Sequence, residues 1–177
     1  MTTTLWTFVL IQMALGLTDT LVHHEGTERL AWRPSQRREL QLHGARNLLY
    51  AVLFLALGWF EPHGKFGMAL LALLAVELGI TLWDFVEEDR TRKLPWTERV
   101  LHTVLTLNYG VILAMLVPLL LGWSALPGGL VRSDQGWIGW LCLLAAVGVT
   151  LSGLRDLAAA RRAPYLAGMT AAELSSE

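Results

Sequence analysis

The chain has 177 residues, enough for one domain, and its formal net charge is −1. Hydrophobic residues make up 54% and charged residues 16%, whereas about 25% of an average soluble domain is charged. The single cysteine excludes a disulfide framework within one chain and a Cys-based zinc site. The sequence contains no Gly-rich phosphate loop, nucleophile elbow or basic nucleic-acid-binding stretch, so no nucleic-acid partner is expected.

Five apolar segments occur along the chain, at residues 5–22, 45–60, 67–86, 100–123 and 137–154. Each is close to the roughly 20 residues that an α-helix needs to cross about 30 Å of hydrocarbon. Helices are favoured over strands because the segments are too long and uniform for the strands of a membrane barrel. The sequence therefore predicts an all-α integral membrane protein with a bundle of five transmembrane helices. We expect one domain over residues 1–163 and a polar C-terminal tail over residues 164–177.

Basic residues alternate between the connections of these helices. The first and third connections and the C-terminal tail are rich in basic residues, whereas the second contains only Lys65 and the fourth only Arg132. The positive-inside rule then predicts an N-terminus outside and a C-terminus in the cytoplasm, with Trp59, Trp123 and Trp137 at the outer interface. The expected location is a bacterial cytoplasmic (inner) membrane.

Polar residues converge at the cytoplasmic end of the predicted bundle. Four of the five histidines and most of the acidic residues lie there, and such groups at the edge of hydrocarbon usually mark a functional site. Several recur four residues apart, which puts two side chains on one helix face, as in the metal sites of helical bundles. Helices 1–4 are therefore predicted to enclose a polar site that holds metal. The predicted ligands are Asp19, His23, His43, Asp84, Glu88 and His102.

Further polar residues lie around this predicted site. The candidates for additional ligands, or for hydrogen-bond partners of ligands, are His24, Glu25, Asn47 and Glu98. Seven residues deeper along the same helices lies a second polar layer, which we predict to be a hydrogen-bonded network or a proton relay. Its members are Gln12, Tyr50, Glu77 and Tyr109. The acids interpreted as salt-bridge partners of arginines at the headgroup level are Glu28, Glu39, Glu87, Asp89 and Asp156.

This pattern predicts a membrane-embedded metal-dependent enzyme. Imidazole and carboxylate together suit iron, zinc or manganese, and the predicted ligands are numerous enough for two transition metal ions, with iron favoured. We expect a dinuclear, di-iron-type oxidoreductase that acts on a lipid or another apolar small molecule at the cytoplasmic face. The pattern is similar in kind to membrane-embedded dimetal enzymes. It departs from the histidine-rich desaturases and hydroxylases, because their repeated histidine boxes are missing.

Other functions are compatible with the same residues. A zinc-dependent membrane hydrolase would use the same ligands, and an ion transporter would use the same buried acids. A b-type haem or quinone protein would use two of His24, His43 and His102 as axial ligands. A non-enzymatic assembly or anchor protein would bind a partner subunit, or a second copy of the chain, through small residues of helix 5 such as Gly148 and Ser152.

Overall fold

The computed structural model of the chain describes residues 1–174, and the side chains of residues 1–163. Residues 175–177 of the predicted polar tail lie outside the described residues. The long helices are α1 (Thr3–Asp19), α2 (Arg37–Trp59), α3 (Lys65–Thr91), α4 (Trp96–Ser124) and α5 (Trp137–Leu174). Between α1 and α2 the chain forms a π-helix (Thr20–Thr27) and two 3-10 helices (Leu30–Trp32 and Pro34–Gln36).

Five helical segments, one for each long helix, are long and apolar enough to cross a membrane, in agreement with the sequence prediction. They leave large apolar side chains on the surface of the bundle, among them Leu17, Leu107 and Leu144, which are 61%, 68% and 68% exposed. Soluble monomers rarely expose apolar surface in this way, whereas lipid contact requires it. Helix α2 begins at Arg37, well before the apolar segment that starts at residue 45, so its first turns are polar.

The apolar core occupies one half of the bundle. The start of α1 contributes Leu5 and Trp6, which pack against side chains from the second half of α2, the first half of α3 and the second half of α4. Leu120 of α4 and Cys142 of α5 are fully buried there. The other half of the bundle contains the ends of α1, α3 and α5 and the beginnings of α2 and α4, and it is here that buried polar side chains accumulate.

A two-stranded antiparallel sheet closes the apolar end of the bundle. Strand β1 (Phe60–His63) follows α2 and pairs with strand β2 (Gly129–Arg132), which follows α4, with Phe60 opposite Arg132 and His63 opposite Gly129. From the sequence, no strand is predicted in the connections between the helices. Four-residue strands are too short to show the alternating pattern from which a strand is recognised.

Helices α2 and α5 pack most closely, because glycines allow their backbones to approach at two levels. A Cβ atom added to Gly153 would lie 2.9 Å from the carbonyl oxygen of Gly44, and one added to Gly139 would lie 2.9 Å from that of Gly58. Gly148, between these two levels on α5, has nothing within 4 Å of such an atom. Gly139 and Gly153 of α5 thus pack against α2 of the same chain, whereas Gly148 lies on the surface.

The connection from α1 to α2 covers the polar end. Leu30 is 1% exposed and packs with Leu40 of α2 and Ala160 of α5 in a small apolar cluster. Gln36 is also buried, and its amide oxygen accepts a hydrogen bond of 3.0 Å from the hydroxyl of Thr91. The polar side chains beneath this connection are therefore shielded from water.

Candidate metal centre

Four helical segments bring acids and histidines together at the polar end of the bundle. Asp19 is the last residue of α1, and the π-helix that follows carries His23 and His24. Glu39 and His43 lie in the first turns of α2. Asp84 and Glu88 lie in the last turns of α3, and Glu98 lies in the first turn of α4. The buried polar residues so assembled, each at most 5% exposed, are Asp19, His23, His24, Glu39, His43, Asp84, Glu88 and Glu98.

The most compact group joins α1, the π-helix and α4. Asp19, His24, Glu98 and His102 each offer one ligand atom, and these atoms all lie within 4.8 Å of one another. An ion bound at about 2.0–2.2 Å keeps its ligand atoms at most about 4.4 Å apart, so small side-chain movements suffice to complete the site. Two imidazoles and two carboxylates from three helical segments make a chemically sound set for iron, zinc or manganese.

An unsatisfied nitrogen points to a ligand in this group. The Nε2 atom of His24 is buried without a hydrogen-bond partner among the described residues. It lies 3.6 Å from Oδ2 of Asp19, which is beyond a hydrogen bond, and the side chain is only 6% exposed. Because a buried polar atom without a partner is costly, this nitrogen calls for a bound cation or another polar group.

His102 has a carboxylate next to each of its ring nitrogens. Its Nε2 lies 3.1 Å from Oδ2 of Asp19, and its Nδ1 lies 3.4 Å from Oε2 of Glu88. A neutral imidazole has only one N–H and cannot donate to both. A metal on one nitrogen and a carboxylate on the other is the usual arrangement of a histidine ligand.

A second group overlaps the first. His24, Glu39 and Glu88 also offer ligand atoms within 4.8 Å of one another. The two groups share His24, and they bring acids from α2 and α3 next to the group on α1 and α4. The salt bridge predicted for Glu39 is present, with Arg92 as its partner. The position of Glu39 one turn before His43 is the sequence signal that also places it near the site.

The adjacent histidines His23 and His24 have different environments. Nδ1 of His23 lies 2.9 Å from Oδ1 of Asp19, and its Nε2 lies 3.3 Å from the hydroxyl of Thr97. Both nitrogens of His23 are thus engaged by protein groups, and His24 stands in the compact group. Ligand spacing in the sequence favours His23 instead, because His23 is four residues from Asp19 as a regular α-helix requires. The π-helix keeps that contact and also brings Nε2 of His24, five residues on, within 3.6 Å of Asp19.

His43 lies at the edge of the centre and faces α5. Its Nδ1 lies 2.8 Å from Oδ2 of Asp156, and its ring centroid lies 4.4 Å from that of His24. Asn47, expected beside a ligand, donates instead to the hydroxyl of Ser152 at 3.4 Å. The predicted ligand on α2 therefore packs against a ligand candidate, and its hydrogen bond ties α2 to α5.

Two arginines face the buried acids. Arg46 of α2 forms an ion pair with Asp84, with 3.0 Å to Oδ2. Neither oxygen of Asp84 has a partner with the geometry of a hydrogen bond in the described part of the chain. Arg92, just after α3, donates to both oxygens of Glu98 at 2.6 and 2.8 Å and to both oxygens of Glu39 at 3.0 and 3.2 Å. Burial disfavours the charge of Arg92, but these hydrogen bonds outweigh it and raise the pKa of the guanidinium above its usual value. Arg92 is therefore a permanent cation inside the acid cluster.

The deeper polar residues form two separate pairs. Glu77 is fully buried, accepts a hydrogen bond of 2.7 Å from the hydroxyl of Thr81 and accepts another from the hydroxyl of Tyr109. Gln12 instead accepts a hydrogen bond of 2.7 Å from the amide of Asn108, which also donates to the backbone of α1. Tyr50 packs at the margin of the apolar core. Glu77 is thus hydrogen-bonded within the bundle to Thr81 and Tyr109. The hydrogen bond between Gln12 and Asn108 joins α1 to α4.

Acids farther from the centre pair with arginines. Glu25 is bound by Arg155 of α5 through two contacts. Arg33 lies 2.9 Å from Glu28. The contact of Arg155 with Glu25 holds the cover of the polar end to α5, and the contact of Arg33 with Glu28 lies within the cover.

A surface cavity lies along α5, and no residue of the candidate metal centre lines it. Its volume is about 360 Å³, and it is lined by Leu154, Leu157, Ala158, Arg161 and Arg162. The lining combines apolar side chains with two cations, and Asp156, the partner of His43, belongs to the same turn of the helix.

No protein family model, curated protein or solved structure matches the chain. Its function must therefore follow from the chemistry of the residues themselves.

Proposed function

We propose that the chain is a membrane-embedded metal-dependent enzyme whose ion is held by Asp19, His24, Glu98 and His102. The unpartnered, buried Nε2 atom of His24 carries this proposal, because it lies 3.6 Å from Oδ2 of Asp19 and its residue belongs to a group whose ligand atoms all lie within 4.8 Å of one another. His23 takes the role of a supporting residue that orients Asp19. His43 is also a supporting residue, since its Nδ1 is hydrogen-bonded to Asp156 and its ring packs against His24.

The balance of buried charge also supports a bound cation. Of the six carboxylates that are buried at this end among the described residues, Asp156 of α5 is paired with His43 and Arg155. The other five are Asp19, Glu39, Asp84, Glu88 and Glu98. Arg46 and Arg92 are the arginines that contact them. With neutral histidines, three formal negative charges remain without a cation in a site shielded from water, which is costly. One divalent ion would remove most of this excess.

The proposed chemistry is an iron-dependent oxidation of a lipid or another apolar molecule. Imidazole and carboxylate ligands suit iron, and zinc in the same place would favour hydrolysis. A dinuclear centre of the di-iron type would add Glu39 and Glu88 to the ligands. The cavity beside α5 supports an amphiphilic substrate, because its walls are apolar and it ends in two arginines.

The proposed location is the cytoplasmic membrane of a bacterium, with the N-terminus outside. The connection from α3 to α4 contains Arg92 and Lys93 and lies at the polar end, whereas Lys65 begins α3 at the opposite end. By the positive-inside rule the metal centre then faces the cytoplasm.

The contact between His24 and His43 argues against these two residues as the axial ligands of a b-type haem. Axial imidazoles must lie on opposite faces of the macrocycle, with the porphyrin between them. The rings of His24 and His43 are only 4.4 Å apart and tilted by 39°. Two rings in this arrangement contact each other directly.

Metal analysis of the purified chain tests the proposal. We expect at least one equivalent of a transition metal per chain in the wild type and in His63→Ala, a matched control at the other end of the bundle. His24→Ala should lose the metal, and chelation should lower the unfolding temperature of the wild type because the ion binds only the folded state. A wild type without stoichiometric metal, or full metal content in His24→Ala, would contradict the proposal.

A further inference from the structure

Arg92 occupies the position between three carboxylates of the centre. Its side chain is 4% exposed and contacts Glu39 of α2, Glu88 of α3 and Glu98 of α4. The contacts to Glu39 and Glu98 use both oxygens of each carboxylate, while the contact to Glu88 is longer, at 3.7 Å. A planar guanidinium satisfies carboxylates in this forked way, as a metal ion otherwise would.

The two overlapping ligand groups do not form two independent sites. Both contain His24, and a neutral imidazole has only one ring nitrogen whose lone pair can bind an ion. With an ion on Asp19, His24, Glu98 and His102, the second group retains only Glu39 and Glu88. These are two of the carboxylates that Arg92 contacts.

Glu98 can belong to both arrangements. A carboxylate has about four lone-pair sites, so an oxygen that accepts from Arg92 can still bind an ion. The first ion therefore leaves Arg92 in place, whereas a second ion near Glu39 and Glu88 has to replace its guanidinium. Replacing the guanidinium, with its single positive charge, by a divalent ion adds only one net positive charge to a cluster whose overall charge is negative.

We infer that Arg92 determines how many metal ions the centre holds: while its guanidinium binds Glu39 and Glu98 the centre takes one ion, and a second binds only when the guanidinium leaves. This inference rests on the proposed metal centre and adds a specificity-determining residue to it. Arg92 is then an internal competitor of the second ion, which the predicted dinuclear centre would require.

Titration with Mn²⁺ tests the inference, because bound ions can be counted without knowledge of the reaction. The full-length chain, freed of metal with a chelator and kept in detergent, is titrated and the bound Mn²⁺ per chain is measured. We expect one ion in the wild type and two in Arg92→Gln. Arg90→Gln is the matched control, since Arg90 is exposed on the preceding turn, and it should behave as the wild type.

Arg92→Lys provides the second variant in case Arg92→Gln does not fold. Lysine keeps the charge but cannot bind several carboxylates in a forked manner, so the second ion should bind at least about tenfold more tightly than in the wild type. Two tightly bound ions in the wild type would overturn the inference, as would an unchanged titration curve in the folded Arg92 variants. A wild type that binds no Mn²⁺, and no iron or zinc in the preceding experiment, would instead refute the metal centre itself.

Discussion

At the scale of single residues, the adjacent histidines show what decides between a ligand and its support. Asp19 accepts from His23 at 2.9 Å and faces His102 at 3.1 Å, so its carboxylate is held from both sides. His24 has no comparable partner for its Nε2. The residue with satisfied hydrogen bonds is suited to orient a ligand, and the residue with an unsatisfied atom is suited to be one.

Replacing His23 should weaken metal binding without abolishing it. In His23→Ala the carboxylate of Asp19 loses one of its two orienting contacts, and losses of this kind typically cost about 10–100-fold in metal affinity. Competition with a chelator of known affinity measures the change. Thr97→Val, which removes only the far partner of His23, should have a smaller effect. If His23→Ala lost all its metal while His24→Ala retained it, His23 would be the ligand and His24 the supporting residue.

The sequence predicts the region of the site better than its individual contacts. Hydropathy and the four-residue spacing are local properties, and the polar residues that they single out lie near one another at the ends of four helices in the structure. The choice between His23 and His24 depends on the π-helix, for which the sequence carries no clear signal. The ion pair of Asp84 with Arg46 and the contacts of Arg92 with Glu39 join residues far apart in sequence, so spacing cannot reveal them.

At the scale of secondary-structure elements, the contact of α2 with α5 positions one side of the centre. Helix α2 carries Glu39 and His43, and the approach of Gly44 to Gly153 brings Asp156 within 2.8 Å of His43. Close backbone approach through glycine is a common way for helices to associate in lipid, where burial of apolar surface provides no driving force between them. Helix α5 thus contributes to the site through packing.

Substitution of Gly153 should therefore destabilise the bundle. The methyl group of Gly153→Ala would lie 2.9 Å from the carbonyl oxygen of Gly44 and 3.1 Å from Cβ of Asn47, and overpacking of this kind costs about 1–3 kcal/mol. Thermal unfolding in detergent measures the loss. The matched control is Gly148→Ala on the same helix, which meets nothing within 4 Å and should change stability by less than about 1 kcal/mol. Equal stabilities of the two variants would contradict the close packing of α2 on α5.

The elements themselves were predictable to different degrees. Long apolar segments identify five helices because each has enough residues to average out local exceptions. The strand pair between Phe60–His63 and Gly129–Arg132 was not predicted, because each strand is short and its partner lies in another connection. The apolar segment begins at residue 45, whereas α2 begins at Arg37, because the first turns of α2 are polar and resemble a loop in hydropathy.

At the scale of the whole molecule, the bundle divides into an apolar half and a polar half. The apolar half contains the core cluster and the short sheet, and the polar half contains the candidate metal centre under its cover. A stable apolar half allows the opposite end to carry buried charge that costs stability. The orientation of this division across the membrane decides from which compartment metal and substrate reach the centre.

The alternation of basic residues predicts that the polar end faces the cytoplasm, and single cysteines can test it. Cys142 is fully buried and should give little background with a membrane-impermeant thiol reagent. Lys65 and Lys93 are exposed at opposite ends of α3. We expect Lys65→Cys to be labelled in intact cells and Lys93→Cys only after permeabilisation.

Neither substitution reverses the distribution of basic residues between the two membrane faces, on which the predicted orientation rests. Lys65→Cys removes the single basic residue from the predicted outer connection, which strengthens the bias, and Lys93→Cys leaves Arg90, Arg92 and Arg99 around the inner one. The opposite labelling pattern would therefore place the metal centre at the outer face. It would contradict the cytoplasmic part of the proposal and leave the ligand set unchanged, because the contacts among Asp19, His24, Glu98 and His102 do not depend on orientation.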